Sequence, residues 1–180
     1  MRDAKVGVED HAVQVLAAIG ELRDVVLVGH SYAGLPIAVV ADRTPEHIAR
    51  VVYLDSFAPG DGESGVSQRP DLLEWIVPQA RDGLLPPVPP EHAGADEADY
   101  ELLRSGLTTT PLRCWTEPIR LTGAGEDVPR TYVWCTRSGF RAIAARLRND
   151  PAWDFRELES KHMVMLTAPR QLADLLLDLA

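Results

Sequence analysis

A chain of 180 residues with 46% apolar content is long enough to form one domain around a single buried core. Its formal charge of -9 opposes attraction to phosphate backbones and to anionic lipid, so neither nucleic acid nor a membrane is expected as a partner. No apolar run approaches a membrane span, and the opening MRDAKVGVEDHAVQ lacks the continuous apolar segment of a signal peptide; a cytosolic location is expected.

Residues 8 to 20 read as an amphipathic helix, with Ala12, Val15, Leu16 and Ile19 on one face and Gly20 placed to end it. DVVLVG (24 to 29) is short, β-branched and apolar on both faces, which predicts a fully buried parallel strand. AGLPIAVVADR then has helical spacing, and Pro36 is tolerated because it falls in the first turn. The alternation repeats. RVVYLD (50 to 55) predicts a second buried strand, RTYVWCT (130 to 136) a third and DFRELES (154 to 160) a weaker fourth. GFRAIAARLRND between the last two reads as a helix, with Arg137, Arg141, Arg146 and Arg148 as a solvated face. In TAPRQLADLLLDLA, Thr167 is placed to cap a final helix whose buried stripe is Leu172, Leu175, Leu176 and Leu179. Strands alternating with helices predict a parallel α/β sheet.

Residues 60 to 125 break the pattern. They carry no strong strand, and eight of the chain's 14 prolines fall between Pro70 and Pro118, including PPVPP at 86 to 90. An excursion of this length, containing Trp75, Tyr100 and Trp115, suits a lid over the C-terminal ends of the strands, where open α/β sheets bind ligands. For residues 86 to 98 the alternative is a disordered acidic linker around EHAGADEADY. The expected organisation is therefore a core of residues 1 to 59, an insertion of residues 60 to 125, and a return to the core over 126 to 180. Cys114 and Cys135 lack metal-type spacing; Cys135 ends an apolar run and reads as a buried thiol, with no disulfide expected.

The stretch VVLVGHSYAG places Ser31 between a buried strand and a helix. A serine hydroxyl is a weak nucleophile until a base takes its proton and the chain exposes it, and a sharp strand-to-helix turn supplies the exposure. Such a turn brings the two backbones together, so the flanking residues must be small, as Gly29 and Ala33 are, with Gly34 next. The same turn aims the helix N-terminus and the Tyr32 N–H at negative charge developing beside Ser31. His30 reads as a packing residue. A base should lie on a loop after a late strand; His11 and His47 are on or beside helices and His92 is in the insertion, which leaves His162.

VVLVGHSYAG, VVYLDSFAPGDGES, PRTYVWCTR and ELESKHMVMLTAP resemble the bacterial α/β-hydrolases related to plant methylesterases and hydroxynitrile lyases. The resemblance spans nearly the whole chain. It implies a serine hydrolase with a helical cap, acting on a small or medium carboxylic ester and needing no cofactor or metal. Two departures stand out. Such a fold normally opens with several strands and an HG loop that supplies a second oxyanion-hole N–H, and none precedes Val8, so either the true start lies upstream, or the chain is a fragment, or it is a degraded enzyme, and a shortened core with an uncovered sheet edge, open to self-association, is expected. The plant relatives place their acid after the strand matching TYVWCT, where this chain has Ser138.

Another carboxylate must then orient His162. Asp127 and Asp154 precede their strands and Asp150 ends a helix on the same far side, while Glu159 is only three residues from His162. Asp55 ends the strand after the nucleophile's own, and the haloalkane dehalogenases are similar in placing their acid there. The alternative is that Asp55 caps the turn SFAPGDG. Phe57, Trp75 and Trp115 are the expected walls of an apolar pocket. Two other functions remain open: a hydroxynitrile lyase, whose plant members carry lysine directly after the histidine where this chain has Met163, and a non-catalytic remnant that binds a ligand or subunit.

Overall fold

The computed structural model describes residues 3–89, 92 and 94–180. In chain order the elements that shape it are α1 (Val8–Ile19), β1 (Val25–His30), α2 (Gly34–Arg43), β2 (Ile48–Leu54), α3 (Gly65–Gln68), α4 (Asp71–Ile76), β3 (Leu84–Leu85), α5 (Glu97–Arg104), β4 (Thr110–Pro111), α6 (Arg113–Thr116), β5 (Arg130–Cys135), α7 (Arg141–Leu147), β6 (Asp154–Leu158), α8 (Val164–Thr167) and α9 (Pro169–Leu179). β1, β2, β5 and β6 form a parallel sheet in that order, so the sheet runs in chain order and the excursion after β2 returns to the next position.

The period of two along each strand divides the core between the two faces. Val51, Tyr53 and Tyr132 pack with Val8, Ala12, Leu35, Val39, Ile143 and Leu147, which brings α1, α2 and α7 to one side. Val52, Leu54, Val133 and Cys135 point the other way and are covered by Val164, Leu172 and Leu179 of α8 and α9. β2 and β5 are central, and Val52 and Val133 are fully buried. The expected parallel α/β architecture is present.

Two local expectations are corrected. β1 is half-buried rather than fully buried, with Val28 39% exposed, because only β2 pairs with it in this sheet. Thr167 does not cap α9: its hydroxyl donates to the Met163 carbonyl and lies 2.6 Å from the Ser160 hydroxyl, so it closes α8 instead. The arginines around α7 stay at the surface but two have specific partners. Arg146 reaches the Ala58 carbonyl and Glu63, and Arg148 pairs with Glu157 and lies over Trp134 and Phe155.

Between β2 and β5 the chain folds into α3, α4, α5, α6 and the two-residue pair β3 and β4. Val66, Ile76 and Leu85 give this segment a small apolar cluster, packed with Leu72, Trp75 and Trp115. Part of the stretch read alternatively as an acidic linker is structured: the Tyr100 hydroxyl on α5 donates to the Val88 carbonyl at 2.9 Å, while residues 90, 91 and 93 lie outside the described residues. Among the described residues no helix is long and apolar enough to cross a membrane. Both cysteines are buried and free.

α2 packs so close to the turn after β2 that Gly34 has no room for a side chain. A β-carbon there would overlap the Phe57 carbonyl oxygen and come within 2.9 Å of the Ser56 hydroxyl. Both obstacles are buried, so neither can move cheaply. Gly34→Ala is expected to destabilise the fold by about 3 kcal/mol. Urea unfolding checks this, and a variant as stable as the parent would mean the two turns can separate.

Candidate active site

At the C-terminal end of β1 the chain turns sharply, and Ser31 takes a φ of 57°. For a residue with a β-carbon this left-handed conformation is sparsely populated and must be held by its surroundings. Here the Phe57 N–H donates to the Ser31 carbonyl at 3.2 Å, tying the turn to the end of β2. The small flanking residues expected from the sequence are required: a β-carbon on Gly29 would come within 2.9 Å of the Ala33 carbonyl.

Asp55 follows the last residue of β2, the parallel neighbour of β1, and also has a positive φ of 42°. His162 lies on the connection between β6 and α8. The three side chains meet in a line. His162 Nδ1 is 2.6 Å from Asp55 Oδ2, and its Nε2 is 2.9 Å from the Ser31 hydroxyl. An ionised carboxylate can only accept, so the proton belongs on Nδ1, and Nε2 is left to accept from the Ser31 hydroxyl. Asp55 therefore does more than cap the turn after β2.

Asp55 is fully buried, and its second oxygen is satisfied as well. Ser138 donates its hydroxyl to Oδ1 at 2.7 Å and the Cys135 N–H donates to the same atom at 3.1 Å. Three donors on one carboxylate offset the cost of burying its charge. Ser138, which the sequence comparison set where an acid is expected, instead donates to the Asp55 carboxylate. The sequence contained a signal for this, a polar residue at the C-terminal end of β5, but not its partner. Burial, with Asp55 nearby, pushes the Cys135 thiol up to about 12, so it stays protonated beside the site.

His30 packs as expected, and what it packs on is His162. Its Nε2 lies 2.9 Å from the His162 carbonyl and its ring packs on the His162 ring at 4.4 Å between centroids. Phe140 stacks on the His162 ring as well, at 5.2 Å. Burial, and then the neighbouring His162, push the His30 imidazole down to about 4. It is neutral at neutral pH, and its Nε2–H is the donor to the His162 carbonyl.

These residues open into a cavity of about 650 Å³ lined by Phe57, Leu72, Trp75, Trp115, Phe140 and Met163, with Ser31 and His162 in its wall. The three aromatic residues expected in a pocket are all there. His92 also lines it and packs edge-on against Trp75. Tyr32 turns its side chain away: its hydroxyl is 2.8 Å from His11 Nδ1 on α1, and its ring rests on Trp115. Only its backbone belongs to the turn at Ser31. Among the described residues no group of three or more His, Cys, Asp or Glu is placed to hold a metal ion.

Residues 3–175 match the model of the alpha/beta hydrolase family. The chain is 34% identical over 189 residues to a carbendazim hydrolyzing esterase of Nocardioides sp. (strain SG-4G), covering 94% of this chain and 77% of that protein. It is 27% identical over 203 residues to methylesterase 9 of Arabidopsis thaliana, covering 93% and 75%. Among solved structures, an extracellular alpha/beta-hydrolase from a Paenibacillus species superposes with a TM-score of 0.83 at 22% identity, covering 98% of this chain and 81% of that one.

The lowered pKa of His30 has a consequence for stability. Its folded value lies below the usual 6.5, so protons bind the unfolded chain more tightly. The contribution is complete above pH 6.5 and is lost as pH falls toward about 4, and it amounts to about 3 kcal/mol. Urea unfolding of the parent should weaken over that window more than unfolding of His30→Gln. Parallel pH profiles for the two proteins would contradict it.

Proposed function

The chain belongs to the alpha/beta hydrolase family, and we propose that it is a serine esterase that cleaves a small or medium carboxylic ester through an acyl-Ser31 intermediate. The observation that carries this reading is the continuous line of hydrogen bonds from Ser31 through His162 to the buried Asp55.

In this mechanism the ester carbonyl carbon enters beside Ser31. As the Ser31 oxygen attacks, its proton passes to His162 Nε2, and Asp55 stabilises the imidazolium and keeps the ring in the productive tautomer. The oxyanion forms beside the Tyr32 N–H in the first turn leading to α2, where the backbone dipoles favour negative charge. Collapse of the intermediate expels the alkoxide, which takes the proton back from Nε2. Water then enters, gives a proton to the same nitrogen and attacks the acyl carbon; the second collapse releases the acid and restores Ser31. Asp55 stays ionised throughout, held by Ser138 and the Cys135 N–H.

Residues 60 to 125 are assigned as the cap, with residues 1 to 59 and 126 to 180 as the core. The cap supplies Trp75 and Trp115 to a cavity that Phe57 and Phe140 also line, which favours an ester with an apolar, flat portion. Met163 directly after His162, where the plant lyases carry lysine, favours hydrolysis over cyanohydrin cleavage; Lys161, before His162, is paired with Asp96.

A fluorophosphonate probe separates an enzyme from a non-catalytic relative of one. It is expected to label the parent at Ser31 and to leave Ser31→Ala unlabelled. With a p-nitrophenyl ester, Asp55→Asn should lower kcat by about ten-thousand-fold with the fold retained, because the amide favours the wrong tautomer. An Asp55→Asn variant keeping more than about a tenth of the parent kcat would remove Asp55 from the relay.

The cap assignment has its own check. Trp115→Ala should shift the preference among p-nitrophenyl esters of increasing acyl length by about tenfold, while the probe still labels Ser31. Unchanged selectivity would show that α6 does not shape the substrate.

A further inference from the structure

The segment leading into α5 lies against the loop that carries His162 and touches it in three ways. The Met163 N–H donates to the Gly94 carbonyl at 3.1 Å. The Lys161 ammonium pairs with the Asp96 carboxylate. Gly94, at a φ of +65°, sits so close to His162 that a β-carbon on it would overlap the His162 β-carbon and stand 3.3 Å from its backbone N and Cα. Residues 94 to 96 and 161 to 163 are therefore seated on each other with no slack.

The opposite side of the loop is tied to the core. The Arg137 N–H donates to the Ser160 carbonyl at 3.1 Å, the Ser160 and Thr167 hydroxyls are 2.6 Å apart, and His30 donates to the His162 carbonyl. The loop is held between the core and the insertion. The imidazole must span 2.6 Å to Asp55 and 2.9 Å to Ser31 at once, and a displacement of about 1 Å along that line would lengthen one contact beyond a useful hydrogen bond and drive the other into a clash.

We propose that Gly94 is a positioning residue for His162: the insertion, besides walling the pocket, sets the place of the base through the Gly94 carbonyl and the absence of a side chain there. The Asp96–Lys161 pair assists by holding the segment down. This inference rests on the reading of His162 as the base of an esterase. Gly94 is suited to the role on two independent grounds, since its φ strains any other residue and its contact with His162 leaves no space for one.

The test joins a spectroscopic readout to a kinetic one. In the parent, the Nδ1 proton shared between His162 and Asp55 should give a downfield NMR resonance that Asp55→Asn abolishes. Gly94→Ala is expected to lose or shift that resonance, and to lower kcat for a p-nitrophenyl ester at least about tenfold with KM changed less than about twofold. Asp96→Lys and Lys161→Glu should each lower kcat by about two- to threefold, and the double variant should recover most of the loss. A Gly94→Ala protein that keeps both resonance and kcat overturns the proposal. If Gly94→Ala does not fold, the charge-reversed pair decides: recovery supports the proposal and additive losses overturn it. If the parent turns over no ester, the esterase reading fails by itself, and the resonance in Gly94→Ala still decides whether the insertion places the ring.

Discussion

The hydrogen bond from the Phe57 N–H to the Ser31 carbonyl joins two turns that would each be unfavourable alone. Both Ser31 and Asp55 have a positive φ, and for residues with a β-carbon this costs on the order of 1–3 kcal/mol each. The turns lie at the ends of adjacent parallel strands, so the register of β1 on β2 places them side by side. The close packing of Gly34 beneath the Phe57 carbonyl then fixes their separation. The positions of the serine and the carboxylate are thus consequences of sheet geometry rather than of flexible loops.

The buried carboxylate is the second demand. Asp55 has no exposed surface, and its charge is met by a backbone N–H, a serine hydroxyl and an imidazole. Two of these donors come from the end of β5, the next strand in the sheet, and the third from the connection after β6. All three strands beyond β1 therefore take part in holding one side chain. His30 and Phe140 flank the His162 ring, and His30, neutral at neutral pH, places no positive charge against it.

The insertion works at two scales. Its Trp75 and Trp115 side chains line the cavity that also holds the polar Ser31, His162, Arg69, Asp71 and Arg137. Its backbone near Gly94 also touches the loop that carries His162, so one segment borders both the cavity and that loop.

The sequence by itself determined what depends on neighbours along the chain. Apolar runs and helical spacing identified α1, α2, β2, β5, β6 and α9 to within a few residues, because burial patterns have a local period. The small residues around Ser31 marked the sharp turn for the same reason, and His162 followed from its place after the last strand. Elimination by sheet edge singled out Asp55, yet its contact with a residue 107 positions away exists only once the order and register of β1, β2, β5 and β6 are set. The same is true of Ser138 on Asp55, His30 on the His162 carbonyl and Gly94 against the His162 loop. The half-burial of β1 also belongs to the tertiary structure, since an apolar strand reads alike at the centre of a sheet and at its edge, and only the number of paired neighbours distinguishes the two.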